Sequence, residues 1–194
     1  EQGKNNFRFH SPEMNTHPIE RVNLETALRR ALDRGELTLF FQPRVGIREN
    51  RVTGVECLVR WMHPTQGILN PPEFVPIAED AGLFGAIGDW VMHAACAQLK
   101  TWQQQGLANL RIGVNLSMRQ FGQDNLIERM REAVHDAGID PKQLEIEITE
   151  SVLMRHSERA EKLLAQVKDM GAHVVVDDFG RGYSLLGLLG RLPI

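Results

Sequence analysis

After residue 110 the chain alternates short strand-like runs with longer helical stretches, and no other feature restricts the fold as tightly. Ile112-Gly113-Val114 precedes a helical stretch over residues 124–137 that stops at Gly138. The run 144–148 precedes a second helical stretch over 156–170 that stops at Gly171. Val174-Val175-Val176 follows, and a further helix begins over 185–192. Strand then helix, repeated, predicts βα units and a parallel sheet. The β-branched run at 174–176 suits a strand buried on both faces.

The first part of the chain reads differently. Residues 37–43 and 52–61 are both strand-like, and only residues 44–51, with the polar segment Arg48-Glu49-Asn50-Arg51, separate them. A parallel pair needs a crossover of about a dozen residues, so these two strands are predicted antiparallel. Helices follow over 71–81, capped by Asn70 with Pro72 near the start, and over 85–105. Upstream, Val22, Leu24, Leu28, Ala31 and Leu32 share one face of a helix over 19–34, with Gly35 as its stop. The expected fold class is α/β: a partial (β/α)8 TIM-like barrel with an antiparallel first strand, lacking the last strands. Residues 1–18 read as a polar tail, 19–35 as a connecting helix and 36–194 as the barrel portion.

Composition narrows the function. The 194 residues are 42% hydrophobic with a formal net charge of −3, which suits a globular domain and gives no electrostatic footprint for DNA or RNA. No apolar run approaches the roughly 20 residues of a membrane span. Cys57 and Cys96 are too few for a disulfide framework and lack metal-type spacing, which favours a reducing compartment.

The chemistry gathers at strand ends. Val174-Val175-Val176 stops at Asp177-Asp178, and adjacent ionised carboxylates call for a cation. Glu56, Asn115 and Glu147, with Glu145 and Glu150 nearby, stand on or beside three other predicted strands. In a (β/α)8 barrel such strand ends converge on one face. Carboxylates and an Asn carbonyl are the oxygen donors preferred by Mg²⁺, Mn²⁺ or Ca²⁺. Alternation puts Glu145 and Glu147 on one face of their strand, where they require a partner or a metal unless they reach solvent. His63, His93, His135, His156 and His173 share no ligand spacing, and Trp61, Trp90 and Trp102 read as packing residues, with Trp61 also a candidate for the pocket mouth.

Together these residues resemble the EAL family of bacterial cyclic-di-GMP phosphodiesterases. The name-giving triad stands as Glu56-Cys57-Leu58, preceded by Gln42-Pro43 and followed by Arg60-Trp61. Pro71-Pro72-Glu73-Phe74-Val75-Pro76-Ile77-Ala78-Glu79, Asn115-Leu116-Ser117, Glu147-Ile148-Thr149-Glu150 and Asp177-Asp178-Phe179-Gly180 follow in the family's order. The tail, Gly3-Lys4-Asn5-Asn6-Phe7-Arg8-Phe9 with Met14-Asn15, is similar to the end of a GGDEF domain.

The resemblance implies hydrolysis of cyclic-di-GMP to pGpG with two divalent ions, Mg²⁺ or Mn²⁺, and inhibition by Ca²⁺. It makes Glu56, Asp177 and Asp178 catalytic. It gives Glu56, Asn115, Glu147, Asp177 and Asp178 to the metals, and Gln42, Leu58, Arg60 and Asn115 to the substrate. Glu150 would anchor the loop that begins at Phe179. A non-catalytic cyclic-di-GMP receptor and a dimerisation module are the competing readings.

Cys57 stands where the family usually has Ala, and Arg181 where it commonly has Thr, a change expected to weaken the coupling of the loop to Glu150. The chain also stops before the segment that carries the family's catalytic Lys, so the fragment itself is expected to be inactive. An open barrel edge would favour a homodimer. The expected location is the cytoplasm, with a parent protein that is either soluble or membrane-attached.

Overall fold

A computed structural model describes residues 13–117, 120, 125–155 and 157–180. Residues 1–12 of the tail expected over 1–18, the helix over 185–192 and the Arg181 substitution lie outside these residues; residues 13–18, expected in the tail, are instead the first turns of a helix.

Helix α1 (Glu13–Ala31) leads in. Its last turns bury Leu28 and Ala31 against the core, so the connector is docked rather than free. Gly35 ends the following turn at φ +65°, a conformation that favours glycine. Strands β1 (Leu37–Gly46) and β2 (Arg51–His63) form the expected antiparallel hairpin, running from Leu37 opposite Trp61 to Gly46 opposite Arg51. A short strand β3 (Gly67–Leu69), not evident in the sequence, folds back antiparallel on the end of β2. Three residues are too few to show an alternation.

Helices α2 (Pro71–Asp80) and α3 (Phe84–Gln104) come next. Pro71 and Pro72 open α2, and the Glu73 carboxylate accepts from the Asn70 backbone N–H at 2.7 Å. The alternating part then runs β4 (Arg111–Asn115), α4 (Leu126–Ala137), β5 (Leu144–Thr149), α5 (Glu150–Arg155), α6 (Ser157–Asp169) and β6 (His173–Asp177). The expected single helix over 156–170 is thus preceded by a separate helix, α5, that starts directly from β5. Val152 and Leu153 are buried there, and their burial holds the extra element.

The sheet order is β1-β2-β4-β5-β6, with β2, β4, β5 and β6 parallel. Helices cover one face. Ile112, Val114, Leu144, Ile146 and Ile148 of the central strands are buried under Ile87, Ala95, Leu99, Met130 and Leu164 of the helices. An antiparallel opening pair followed by parallel βα units is the expected fold class. No helix among the described residues is long and apolar enough to cross a membrane.

Candidate functional site

Side-chain alternation separates the packing face of the sheet from the functional one. On β2, Val55, Cys57 and Trp61 are buried on the helix side, whereas Glu56, Leu58 and Arg60 alternate with them and are half-buried. Gln42 of β1 lies opposite Glu56, and Phe40 opposite Leu58. On β5, Ile146 and Ile148 belong to the core, so Glu145 and Glu147 occupy the other face. The parallel register places Glu56 beside Gly113, Gly113 beside Glu145, Asn115 beside Glu147, and Asp177 beside Thr149. Glu56, Asn115, Glu147 and Asp177 therefore fall on one side of four neighbouring strands, with Asn115 and Asp177 as the last residues of theirs.

Three of the four are joined by contacts. Asn115 Nδ2 donates to Glu56 Oε1 at 2.8 Å. Between Glu56 and Glu147 stands a cation that the motifs did not reveal, the Arg44 guanidinium. Its Nη2 donates to Glu147 Oε1 and lies 3.5 Å from Glu56 Oε2, and its Nη1 donates to Glu145 Oε2 at 2.9 Å. Arg111 Nη1 lies on the far side of Glu145, 3.2 Å from Oε1. A readable signal existed: Phe40, Gln42 and Arg44 share one face of β1, so an Arg on the same face as Gln42 points at the carboxylates. Gly113 was also overlooked, and it is what makes room. A β-carbon there would land on Glu147 Oε1 and lie 3.2 Å from Arg44 Nη2.

Electrostatics follow from this crowding. Glu147 is only 2% exposed. Burial pushes its pKa above the ordinary carboxylate value, the Arg44 hydrogen bond pulls it back down, and the charges of Glu56 and Asp177 raise it again. Burial also works against the Arg44 charge, but the Glu147 hydrogen bond and the charges of Glu147, Glu145 and Glu56 outweigh it, so Arg44 holds its proton more firmly than usual.

Asp177 and Asp178 stand one strand further on. Asp178 adopts φ +54°, a left-handed conformation that Asp tolerates better than most residues, and its N–H donates to Asp177 Oδ1 at 2.8 Å. Beyond them the Gly180 N–H donates to Glu150 Oε2 at 2.9 Å, and Glu150 is buried. Arg60 donates to the Val59 carbonyl at 2.8 Å and lies over the Phe40 ring, 5.5 Å from its centroid.

The fit to divalent ions is visible in the donor chemistry. The acceptor groups on this rim, Glu56, Asn115, Glu147 and Asp177, all offer oxygen, and the softer ligands are elsewhere: both cysteines are free and buried. Among the described residues no three acidic, imidazole or thiol groups close on a common point. The carboxylates converge on Arg44 instead. Trp61 is fully buried, edge-on to Phe74 at 6.0 Å, with Nε1 donating to Glu36 at 3.1 Å, so it packs and does not line a mouth.

Comparisons with known proteins identify the family of the domain that carries this rim. The model of the EAL domain family matches residues 25–194. The bifunctional diguanylate cyclase/cyclic di-GMP phosphodiesterase MucR of Pseudomonas aeruginosa is 40% identical over 193 residues, which are 100% of this chain and 28% of MucR. The cyclic di-GMP phosphodiesterase PdeR of Escherichia coli is 36% identical over 194 residues, 100% of this chain and 29% of PdeR. The chain therefore spans under a third of the length of these curated relatives. Among solved structures, a PaMucR phosphodiesterase in complex with c-di-GMP superimposes with a TM-score of 0.85 at 42% identity, covering 88% of this chain and 69% of that one.

Proposed function

The chain belongs to the EAL domain family, and from that premise we propose that it supplies the metal- and nucleotide-binding rim of a cyclic-di-GMP phosphodiesterase. Glu56, Asn115, Glu147 and Asp177 would hold one divalent ion, and Asp177 with Asp178 a second, Mg²⁺ or Mn²⁺ by donor chemistry. Bound there, such ions would supply Lewis-acid chemistry, lowering the pKa of a water for the hydrolysis that opens cyclic-di-GMP to pGpG.

The chain's own groups prepare that chemistry. Asn115 orients Glu56 through their 2.8 Å hydrogen bond. Arg60, with a planar fork of donors on the functional face, suits a phosphodiester oxygen. Gln42, opposite Glu56 in the hairpin, offers an amide to the nucleotide, and Leu58 an apolar surface between them. Glu150 fixes the loop after Asp178 through the Gly180 N–H. Free, buried thiols support a cytoplasmic setting.

The observation that carries this reading is the set of oxygen donors gathered on one rim. Glu56, Asn115 and Glu147 come from three neighbouring strands of a domain whose family model spans residues 25–194. Calorimetric titration of cyclic-di-GMP into the chain with Ca²⁺, repeated with EDTA, tests it. Ca²⁺ fills oxygen sites without rapid turnover, so binding is read apart from chemistry. Binding with Ca²⁺ that disappears with EDTA is expected. Equal binding in both buffers would make the protein a metal-independent nucleotide receptor, and no binding in either would remove the rim from nucleotide recognition.

A further inference from the structure

Arg44 belongs to none of the family's motifs quoted above, yet it is the hub of the functional face. Its guanidinium touches Glu56, Glu145 and Glu147, which come from two different strands. The two ends of the hub differ. Glu145, between Arg44 and Arg111, borders a polar cavity of about 380 Å³ at the strand starts, which Arg44, Arg51 and Asn109 also line. Glu147 at the other end is 2% exposed. A buried carboxylate has few ways to hold a fixed direction without a partner, and the missing side chain of Gly113 is what lets the Glu147 carboxylate lie against Arg44.

We propose that Arg44 is a positioning residue for divalent-ion binding: it fixes Glu147, and through it the spacing to Glu56, and so sets the affinity of the rim for the metal. This rests on the assignment of Glu56 and Glu147 to a metal. Arg44 commits one oxygen of each carboxylate, which leaves each side chain aimed from a fixed point. Glu145 acts one step further out. It holds the opposite end of the guanidinium at 2.9 Å and is itself held by Arg111 at 3.2 Å. Partners that orient a metal's ligands affect its affinity about 10–100-fold. The arrangement Arg111–Glu145–Arg44–Glu147 is a row of alternating charge that ends on a ligand.

Titration of Mn²⁺ alone into the chain, followed by calorimetry without nucleotide, measures the effect. The R44M variant keeps the side-chain bulk and removes the fork, and its Kd for Mn²⁺ should rise about 10–100-fold. R44K restores the charge without the fork and should recover part of that loss. E145Q should weaken Mn²⁺ less than R44M. The double variant R44M/E145Q should be no weaker than R44M alone, because Glu145 acts only through Arg44. A thermal melt checks each variant for folding, and R44K with E145Q carries the test if R44M does not fold. Mn²⁺ binding by R44M that equals or exceeds wild type would overturn the proposal, because Arg44 would then be a bystander or a competitor of the ion. Additive effects of R44M and E145Q would also overturn the relay. Wild type that binds no Mn²⁺ would remove the metal assignment itself, an outcome distinct from a binding wild type with an unaffected R44M.

Discussion

A β-carbon placed on Gly113 would coincide with a carboxylate oxygen of Glu147 on the neighbouring strand. The glycine is required by close approach, not by a left-handed backbone, so alanine is admissible to the chain and refused only by its neighbour. Gly113→Ala should push Glu147 off Arg44 and cost about 1–3 kcal/mol as overpacking. The melting temperature and Mn²⁺ affinity should fall together. An unchanged melt would show that Glu147 turns aside freely.

Glu150 is buried and accepts from the Gly180 N–H at 2.9 Å across 30 residues. Hydrogen bonds to charged groups contribute about 1.5–3 kcal/mol. Glu150→Ala should lose roughly that amount and release the segment after Asp178. Amide exchange at Gly180 should accelerate well before exchange in β5 does. Equal protection at Gly180 in both proteins would show that other contacts hold the loop.

Trp61 closes the helix side of β2. Trp61→Phe removes the Nε1–Glu36 bond and part of the indole, an expected loss of about 1–3 kcal/mol. Cyclic-di-GMP affinity of the folded variant should match wild type. A weaker Kd at unchanged stability would place Trp61 at the ligand after all.

Burial pushes the thiols of Cys57 and Cys96 up to about 12, with the Cys96, Glu147 and Glu56 charges adding to the shift at Cys57. An unfolded thiol titrates near 8.5, well below the folded value. The folded value is the higher one, so the stability held by each neutral thiol is complete below about pH 8.5 and is lost as pH rises toward 12. Each thiol should tilt stability by about 1.4 kcal/mol per pH unit within that window. Cys57→Ala should halve the slope. Thiol reagents at pH 8 should label the protein only as it unfolds, and rapid labelling of the native protein would contradict the assigned burial.

Much of this was legible in the sequence because periodicity reports burial. The runs at 112–114, 144–148 and 174–176 read as strands, and the short link between the first two strands, too short for a crossover, dictated their antiparallel pairing. The unread parts have equally physical causes. β3 is too short to carry a period, and α5 starts where β5 ends without a breaker residue. Motif reading singled out Glu56, Asn115, Glu147 and the two aspartates as candidates because their chemistry is unusual at strand ends. It passed over Arg44 because an Arg beside Gln42-Pro43 looks like surface until it is counted along the strand. Gly113 went unread because its function is empty space, which only the approach of Glu147 reveals.

The row of charge through Arg44 also proofreads the sheet. Glu145 and Glu147 reach Arg44 from 101 and 103 residues away, whereas the β1–β2 hairpin is made of local contacts. A strand that docks one residue out of register turns every side chain to the opposite face. For β5 that error would set Leu144, Ile146 and Ile148 against the guanidinium and drive both glutamates into the apolar layer under the helices. A two-residue slip would keep the apolar side apolar but would move Glu145 and Glu147 away from the guanidinium, so the charge contacts select among the alignments that facing alone allows. The residue that holds the rim together therefore also selects how the distant half of the sheet is threaded.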